Sequence, residues 1–211
     1  TWGGTFGVDA NFTPGFTAGI AMTASYGKLT SNSADSLSGD MDNYYVNLFG
    51  RYQRGKWGHN FILTAGWSQG DAERTVPLGQ YSYAGHSETS GNTWGAMYEA
   101  TYDISLDENN SSILQPLVNI SLHKSSIDDY NETGAGNAGL AVRDMDATTA
   151  TISAGIRWMG LMGGNLFGRE SLAELRMQVS QDMGDTQNEA RVGFQGNPGF
   201  SQNVKMRTSH D

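Results

Sequence analysis

Residues 16–26, FTAGIAMTASY, alternate between large apolar side chains and small or polar ones. Phe16, Ile20 and Tyr26 fall on one parity, whereas Thr17 and Ser25 fall on the other. This alternation predicts a β-strand with one apolar face, because a helix would scatter the same apolar groups around its axis.

The same alternation recurs along most of the chain. Such segments are about as long as one membrane-crossing strand, and turn residues separate them. The pattern predicts eight strands and a ninth that follows Phe200. The eight lie at residues 6–12, 16–26, 44–52, 57–67, 94–104, 114–122, 150–158 and 173–179.

Aromatic residues stand at both ends of the apolar rows. Ten residues at about 3.3 Å each, tilted by about 40°, cover roughly 25 Å, which is the height of the apolar band of a membrane barrel. A soluble sandwich has no reason to place Trp and Tyr at that separation on an outer face. The candidate girdle residues are Tyr26, Tyr52, Trp57, Trp67, Trp94, Tyr102 and Trp158.

The connections alternate between short and long. Residues 13–15, 53–56 and 107–111 read as tight turns, whereas 28–42, 70–92, 124–146 and 183–199 read as long polar loops; 159–170 is ambiguous. This order predicts an all-β, up-and-down antiparallel transmembrane β-barrel with its long loops outside the bacterial outer membrane. Thr1 would then lie at the outer surface. Residues 1–211 are expected to form one partial barrel domain of eight to nine strands, cut at both ends.

Composition narrows the class of protein. The chain has 28 glycines, four prolines and no cysteine, which is typical of many strands joined by turns and excludes disulfides and thiolate metal sites. A net charge of −9 and a pI near 4.8 argue against a nucleic-acid partner. The mean hydropathy of −0.46 is no argument against a membrane barrel, since alternation hides the apolar face in the average.

Four charged residues fall on the polar parity and are candidates to line a pore: Arg51, Glu99, Arg157 and Arg176. They can meet a threaded polar segment in a water-filled lumen or pair with each other across strands. Inward charges are expected in any barrel, because a charge on the lipid side costs a few kcal/mol near mid-membrane. Glycines on the same parity either leave room in the pore or relieve crowding in a curved sheet.

No catalytic, cofactor or metal site is predicted, and the segment is not expected to be an enzyme. Asp35-Ser36-Leu37 is similar to part of the nucleophile block of GDSL esterases, but Ala34 replaces the glycine, so the match is attributed to chance. The four histidines show no ligand spacing along the chain. Paired acids such as Asp40 with Asp42 read as solvated loop residues.

The order of short motifs resembles the translocator β-domain of type Va autotransporters over nearly the whole chain. The matching pieces are Gly7-Val8-Asp9, residues 16–26, Leu114-Gln115-Pro116, Gly155-Ile156-Arg157, residues 181–185 and residues 191–200. The resemblance implies a twelve-stranded barrel with a helical linker through its pore and an aromatic last strand. The linker and that last strand are absent from this sequence.

The resemblance also implies function and partners. A barrel of this family would export or anchor an N-terminal passenger through its pore in type V secretion. Its partners would be its own passenger or linker helix, outer-membrane lipid and lipopolysaccharide, and the barrel-assembly machinery, with no nucleic acid and no cofactor. A porin-like or adhesin-like barrel and a soluble carbohydrate-binding β-sandwich are the alternatives.

Overall fold

The computed structural model describes residues 1–31, 37–78, 80–109, 111–166, 169–184, 187–197, 199 and 201–207. These residues form β-strands and one short 3-10 turn, Gly136–Ala138. No helix among them is long and apolar enough to cross a membrane. The strands are β1 Trp2–Thr13, β2 Phe16–Thr30, β3 Leu37–Arg54, β4 Trp57–Leu78, β5 Tyr81–Tyr102, β6 Ile104–Ser105, β7 Ser112–Ile127, β8 Tyr130–Asn131, β9 Leu140–Leu166, β10 Arg169–Gly184, β11 Gln187–Phe194 and β12 Ser201–Arg207.

All strands belong to one antiparallel sheet in the order β1-β2-β3-β4-β5-β7-β9-β11-β12. The short strand β6 pairs with β7 and so continues β5. In the same way, β8 pairs with β9 and continues β7. β10 and β11 follow each other along one edge of β9. The sheet is therefore an up-and-down meander of nine long rows, as the sequence pattern predicts. Within the described residues, β1 pairs only with β2 and β12 only with β11.

The two faces of the sheet have inverted polarity. Ile20, Leu63 and Ile120 are 40%, 51% and 52% exposed, so they do not meet in a shared dry interior. On the opposite face Gln115 is 2% exposed and Glu99 is 5% exposed. Apolar side chains outside and polar ones enclosed are the arrangement of a membrane barrel, and the β-sandwich alternative is wrong.

The segments predicted as long loops contain much more strand than expected. Residues 70–92 lie almost wholly in β4 and β5, which stay paired from Trp57 with Tyr102 to Leu78 with Tyr81. The other three segments also include strand residues, among them all of β11. The backbone hydrogen bonds between strands do not depend on the side chains, so strand pairing continues beyond the apolar band. The apolar alternation stops there because both faces meet water.

Tight turns connect the strands at the opposite end. Gly15 and Gly55 adopt positive φ angles of 92° and 60°, which a β-carbon disfavours. The backbone N–H of Gln53 donates to the carbonyl of Gly15 at 2.6 Å and ties the first two turns together. The ambiguous stretch 159–170 lies mostly in β9, which ends at Leu166, and in β10, which begins at Arg169.

Candidate functional site

A cross-strand row of polar residues runs over the enclosed face. Arg51 of β3 pairs with Asn60, Asn60 with Glu99, Glu99 with Asn119, and Asn119 with Ser153. Glu99, Asn119 and Ser153 are 5%, 9% and 3% exposed. Antiparallel pairing places all of these side chains on one face, because each pair lies directly opposite in the ladder. The sheet thus encloses a polar surface at the level of its lipid-facing band.

Glu99 and Arg176 join across this surface. Nη2 of Arg176 lies 2.7 Å from Oε2 of Glu99, whose Oε1 accepts a 3.2 Å bond from Asn60. β7 and β9 lie between the two strands, which corresponds to three strand spacings or about 14 Å along a flat sheet. The ion pair therefore depends on the curvature of the sheet, which brings distant strands within side-chain reach.

Arg157 belongs to a second polar network, nearer the tight turns. Its Nε donates to Oε1 of Gln115 at 2.7 Å, and its Nη1 lies 4.0 Å from Glu174. The side-chain amide of Gln115 donates to Asp103, which also accepts a 3.1 Å bond from Gln53. This network links β3, β7, β9 and β10 by side chains alone.

Arg51 differs from the other three candidate charges. Its side chain is exposed, and it makes no hydrogen bond or ion pair with any residue that the structure describes. An unpaired guanidinium with five donors is suited to bind a carboxylate or a backbone carbonyl of another segment.

The glycines on the enclosed face are mostly sites of close contact. A β-carbon at Gly19 would meet Phe49 and Asp9, and one at Gly66 would overlap the ring of Tyr45. Gly58 and Gly155 are equally crowded, whereas at Gly95 the nearest atom, Cβ of Thr64, would be 3.5 Å away. Four of these five positions therefore make room for neighbouring side chains or backbone of the sheet itself.

The candidate girdle residues lie on the outer face in two belts. The upper belt, toward the long hairpins, contains Tyr26, Trp67 and Trp94 together with Tyr44, and the lower belt, toward the tight turns, contains Tyr52, Trp57, Tyr102 and Trp158. Trp57, Trp67 and Trp94 are 52%, 47% and 63% exposed, and Tyr52 and Trp158 are 40% and 36% exposed. Tyr26 and Tyr102 are half-buried.

Aromatic neighbours on adjacent strands connect each belt. Trp67 stacks on Tyr44 with ring centroids 5.7 Å apart, and Trp57 meets Tyr102 edge-on at 4.9 Å.

The belts run obliquely to the hydrogen-bonded rows of the sheet. In the upper belt, Tyr44 pairs with Trp67, but Trp94 of the next strand pairs with Ala65, which lies two residues before Trp67 in β4. In the lower belt, Trp57 pairs with Tyr102, while Trp158 pairs with Leu114 beyond the end of β5. The two belts thus shift in the same direction, as expected when strands tilt relative to the membrane normal.

A third polar cluster lies beyond the upper belt and was not predicted from the sequence. Arg74 of β4 binds Glu132 with two bonds of 3.0 and 2.6 Å, and Glu132 also accepts the Leu140 N–H at 2.9 Å. Nε2 of Gln195 donates to the carbonyl of Leu140 at 3.2 Å. The cluster ties segment 130–140 to β4 and to the β11–β12 connection.

Burial of Glu132 by itself raises the pKa of its carboxyl group. The hydrogen bonds from Arg74 and from the Leu140 N–H, together with the charge of Arg74, outweigh burial and lower that pKa below its ordinary value. Tyr130, next to this cluster, has a raised pKa because burial and the Glu132 charge outweigh the effect of Arg74. Glu132 thus stays ionised as a buried anchor of this segment.

The histidines and the esterase-like tripeptide do not form a catalytic arrangement in the described part of the chain. His59 forms a 2.7 Å bond with the Tyr98 hydroxyl, and its ring lies between Tyr52 and Tyr98 in the outer apolar face. Asp35 and Ser36 of the esterase-like tripeptide, and His210, lie outside the described residues.

Comparisons with known proteins agree with this geometry. The family model described as "Autotransporter beta-domain" matches residues 1–211. Among solved structures, the translocator domain of the autotransporter NalP from Neisseria meningitidis matches with a TM-score of 0.57 and 13% identity, over 92% of this chain and 75% of that chain. At that identity the match supports the fold alone.

Two curated relatives are each named "Esterase EstA", one from Pseudomonas aeruginosa and one from Pseudomonas putida. Each is 27% identical over 158 residues, which make up 74% of this chain and 24% of the relative. The chain spans about a quarter of the length of these relatives. An autotransporter translocator domain is not itself catalytic. This chain belongs to the autotransporter β-domain family and is an outer-membrane translocator barrel of type V secretion.

Proposed function

We propose that the enclosed polar face surrounds a linker of the same polypeptide, through which the barrel exports or anchors an N-terminal passenger. In this proposal Arg51, Glu99, Arg157 and Arg176 line the pore. The observation that carries it is the inverted polarity of the sheet, with Glu99 5% exposed while Leu63 is 51% exposed. A hydrated passage accepts a polar segment, whereas an apolar interior would not.

Arg51 is the residue best placed to touch the linker. Glu99, Arg157 and Arg176 already use their charges within the sheet, while Arg51 has no partner among the described residues. A linker with a carboxylate or a free backbone carbonyl at this level would satisfy its donors.

Cysteine crosslinking in the full-length protein tests the proposal. A cysteine at Arg51 is expected to form a disulfide with one of a series of single cysteines placed along the upstream linker. The matched control is Leu63→Cys, which lies on the lipid-facing side. Crosslinking from position 63 but not from position 51 would reject the proposal, as would a linker that reacts with neither.

The outward apolar face and its two aromatic belts support outer-membrane lipid and lipopolysaccharide as partners, with folding by the barrel-assembly machinery. These partners would explain why outward side chains such as Leu63, Ile120 and Met177 stay exposed. Depletion of the assembly machinery should leave the full-length protein protease-sensitive in the periplasm. Normal surface display under depletion would argue against this partner.

A second candidate concerns the passenger. The similarity to two proteins named Esterase EstA favours an ester-hydrolysing passenger outside residues 1–211. Cells that display the full-length protein would then hydrolyse a short-chain p-nitrophenyl ester at their surface. A full-length protein whose surface display leaves ester hydrolysis at background would exclude this passenger and leave the barrel assignment intact. The porin alternative predicts no passenger at all.

A further inference from the structure

The outer face of the β4–β5 hairpin carries three metal-ligating side chains beyond the upper aromatic belt. Asp71 of β4 pairs directly with Glu88 of β5, and His86 lies two residues before Glu88 on the same face. Nε2 of His86 is 3.9 Å from Oδ1 of Asp71 and 4.0 Å from Oε1 of Glu88. One ligand atom from each residue lies within 4.8 Å of the other two.

The three ligand atoms are too far apart for direct hydrogen bonds and near enough to converge on one cation. Separations of 3.9 and 4.0 Å are too long for hydrogen bonds. Around a tetrahedral zinc ion with bonds of about 2.0 Å, neighbouring ligand atoms stand roughly 3.3 Å apart. The side chains of His86, Asp71 and Glu88 are 44%, 61% and 84% exposed. They are therefore free to rotate and to bring the ligand atoms from about 4 Å to about 3.3 Å apart. Imidazole nitrogen and carboxylate oxygen are both ligands that zinc takes.

Cross-strand pairing also concentrates negative charge here. Asp40 of β3 pairs with Asp71, which pairs with Glu88, so three carboxylates stand side by side. Like charges directly opposite each other destabilise a sheet. Lys28 pairs with Asp40 and offsets only one of the three. A divalent cation among these groups would offset the remaining repulsion. Asp40, which pairs with Asp71, and Glu73, which pairs with His86, are further carboxylates on the same face.

The backbone holds the ligand positions in place before any ion binds. The β4–β5 ladder is continuous from Trp57 with Tyr102 to Leu78 with Tyr81. The backbone of His86 also exchanges bonds of 2.9 and 2.7 Å with Thr133. Ligands carried by regular strands are set more precisely than ligands on a free loop.

The geometry points to a divalent transition-metal site formed by Asp71, His86 and Glu88 on the extracellular wall of the barrel, with water or Asp40 as the fourth ligand. The spacing of the histidines along the chain gives no sign of this site, because its ligands come together only through strand pairing. The site is independent of the pore and of the passenger.

Zinc titration of the full-length protein, purified folded in detergent, tests the inference. Calorimetry should find one more zinc equivalent in the wild type than in His86→Ala, and Asp71→Asn should lower the affinity at least tenfold. His123→Ala and Glu108→Gln are controls that remove a histidine or a carboxylate elsewhere, and both should bind as the wild type does. Cobalt should give visible tetrahedral bands that His86→Ala loses.

Two results would overturn the inference. One is a wild type that takes up no more zinc than His86→Ala. The other is calcium binding as tightly as zinc without sensitivity to His86, which would indicate ions condensed on an acidic surface. Retained heat-modifiable electrophoretic mobility shows that each variant is folded.

Discussion

Arg176 of β10 binds Glu99 of β5 at 2.7 Å across the enclosed face, although 77 residues and two intervening strands separate them. Glu99 is nearly buried, whereas the side chain of Arg176 is 37% exposed. The ion pair therefore bridges the concave side of the curved sheet, and its carboxylate is much more buried than its guanidinium.

Removing Arg176 should destabilise the barrel more than neutralising Glu99. Arg176→Met leaves a buried carboxylate without its cation and is expected to lower the free energy of unfolding by about 1–3 kcal/mol. The loss is smaller than for a fully buried ion pair because Arg176 is partly exposed. Glu99→Gln keeps the bond to Asn60 and should cost less. Urea unfolding of the two single variants and the double variant measures their coupling. Strictly additive free energies would show that the ion pair contributes nothing.

A charge on the outer apolar face should be costly in proportion to its depth. Leu63 lies between Trp57 and Trp67 on β4, so Leu63→Arg is expected to lose about 2–4 kcal/mol of folding free energy in a bilayer. Asn92 pairs with Trp67 at the upper belt, and Asn92→Arg should cost about 0–1 kcal/mol. Equal losses for the two variants in lipid vesicles would contradict the outward orientation.

The glycines of the enclosed face should differ in their tolerance of a methyl group. Gly66→Ala forces the Tyr45 ring to move and is expected to cost about 1–3 kcal/mol by overpacking. Gly95→Ala has its nearest neighbour at 3.5 Å and should be close to neutral. Thermal unfolding of the two variants compares neighbouring strands of the same sheet. A neutral Gly66→Ala would mean that Tyr45 has free space inside.

Acid should loosen the segment that Glu132 anchors. The pKa of Glu132 is lowered from 4.5 in the folded protein, so its contribution is complete above the ordinary carboxyl pKa and is lost as pH falls through the lowered value. The amide resonance of Leu140, whose N–H binds this carboxylate, should shift only below pH 4.5. Glu132→Gln should abolish that shift. An inflection above pH 4.5 would contradict the assigned anchor.

Much of the architecture could be predicted from the alternation of side chains. Ile20, Leu63 and Ile120 carry that information, since a period of two with apolar residues on one parity defines both the strand and the face that meets lipid. The aromatic residues at the row ends are predicted to mark the height of the membrane. The number of rows follows from counting such segments.

Strand length and side-chain partners could not be predicted in the same way. Residues 70–92 read as a loop because their faces are both polar, yet the backbone ladder of β4 and β5 continues through them. Arg74 with Glu132, and Arg176 with Glu99, are far apart in sequence and follow from register and curvature.

The sequence by itself thus determined the strands, the parity of their apolar face and, through the order of its motifs, the family. Only the tertiary structure decided which inward charges pair, how the belts shift from strand to strand, and where Asp71, His86 and Glu88 meet. The physical reason is that alternation is a local property of each strand. Contacts between strands depend on register, tilt and closure, which arise only when the whole sheet forms.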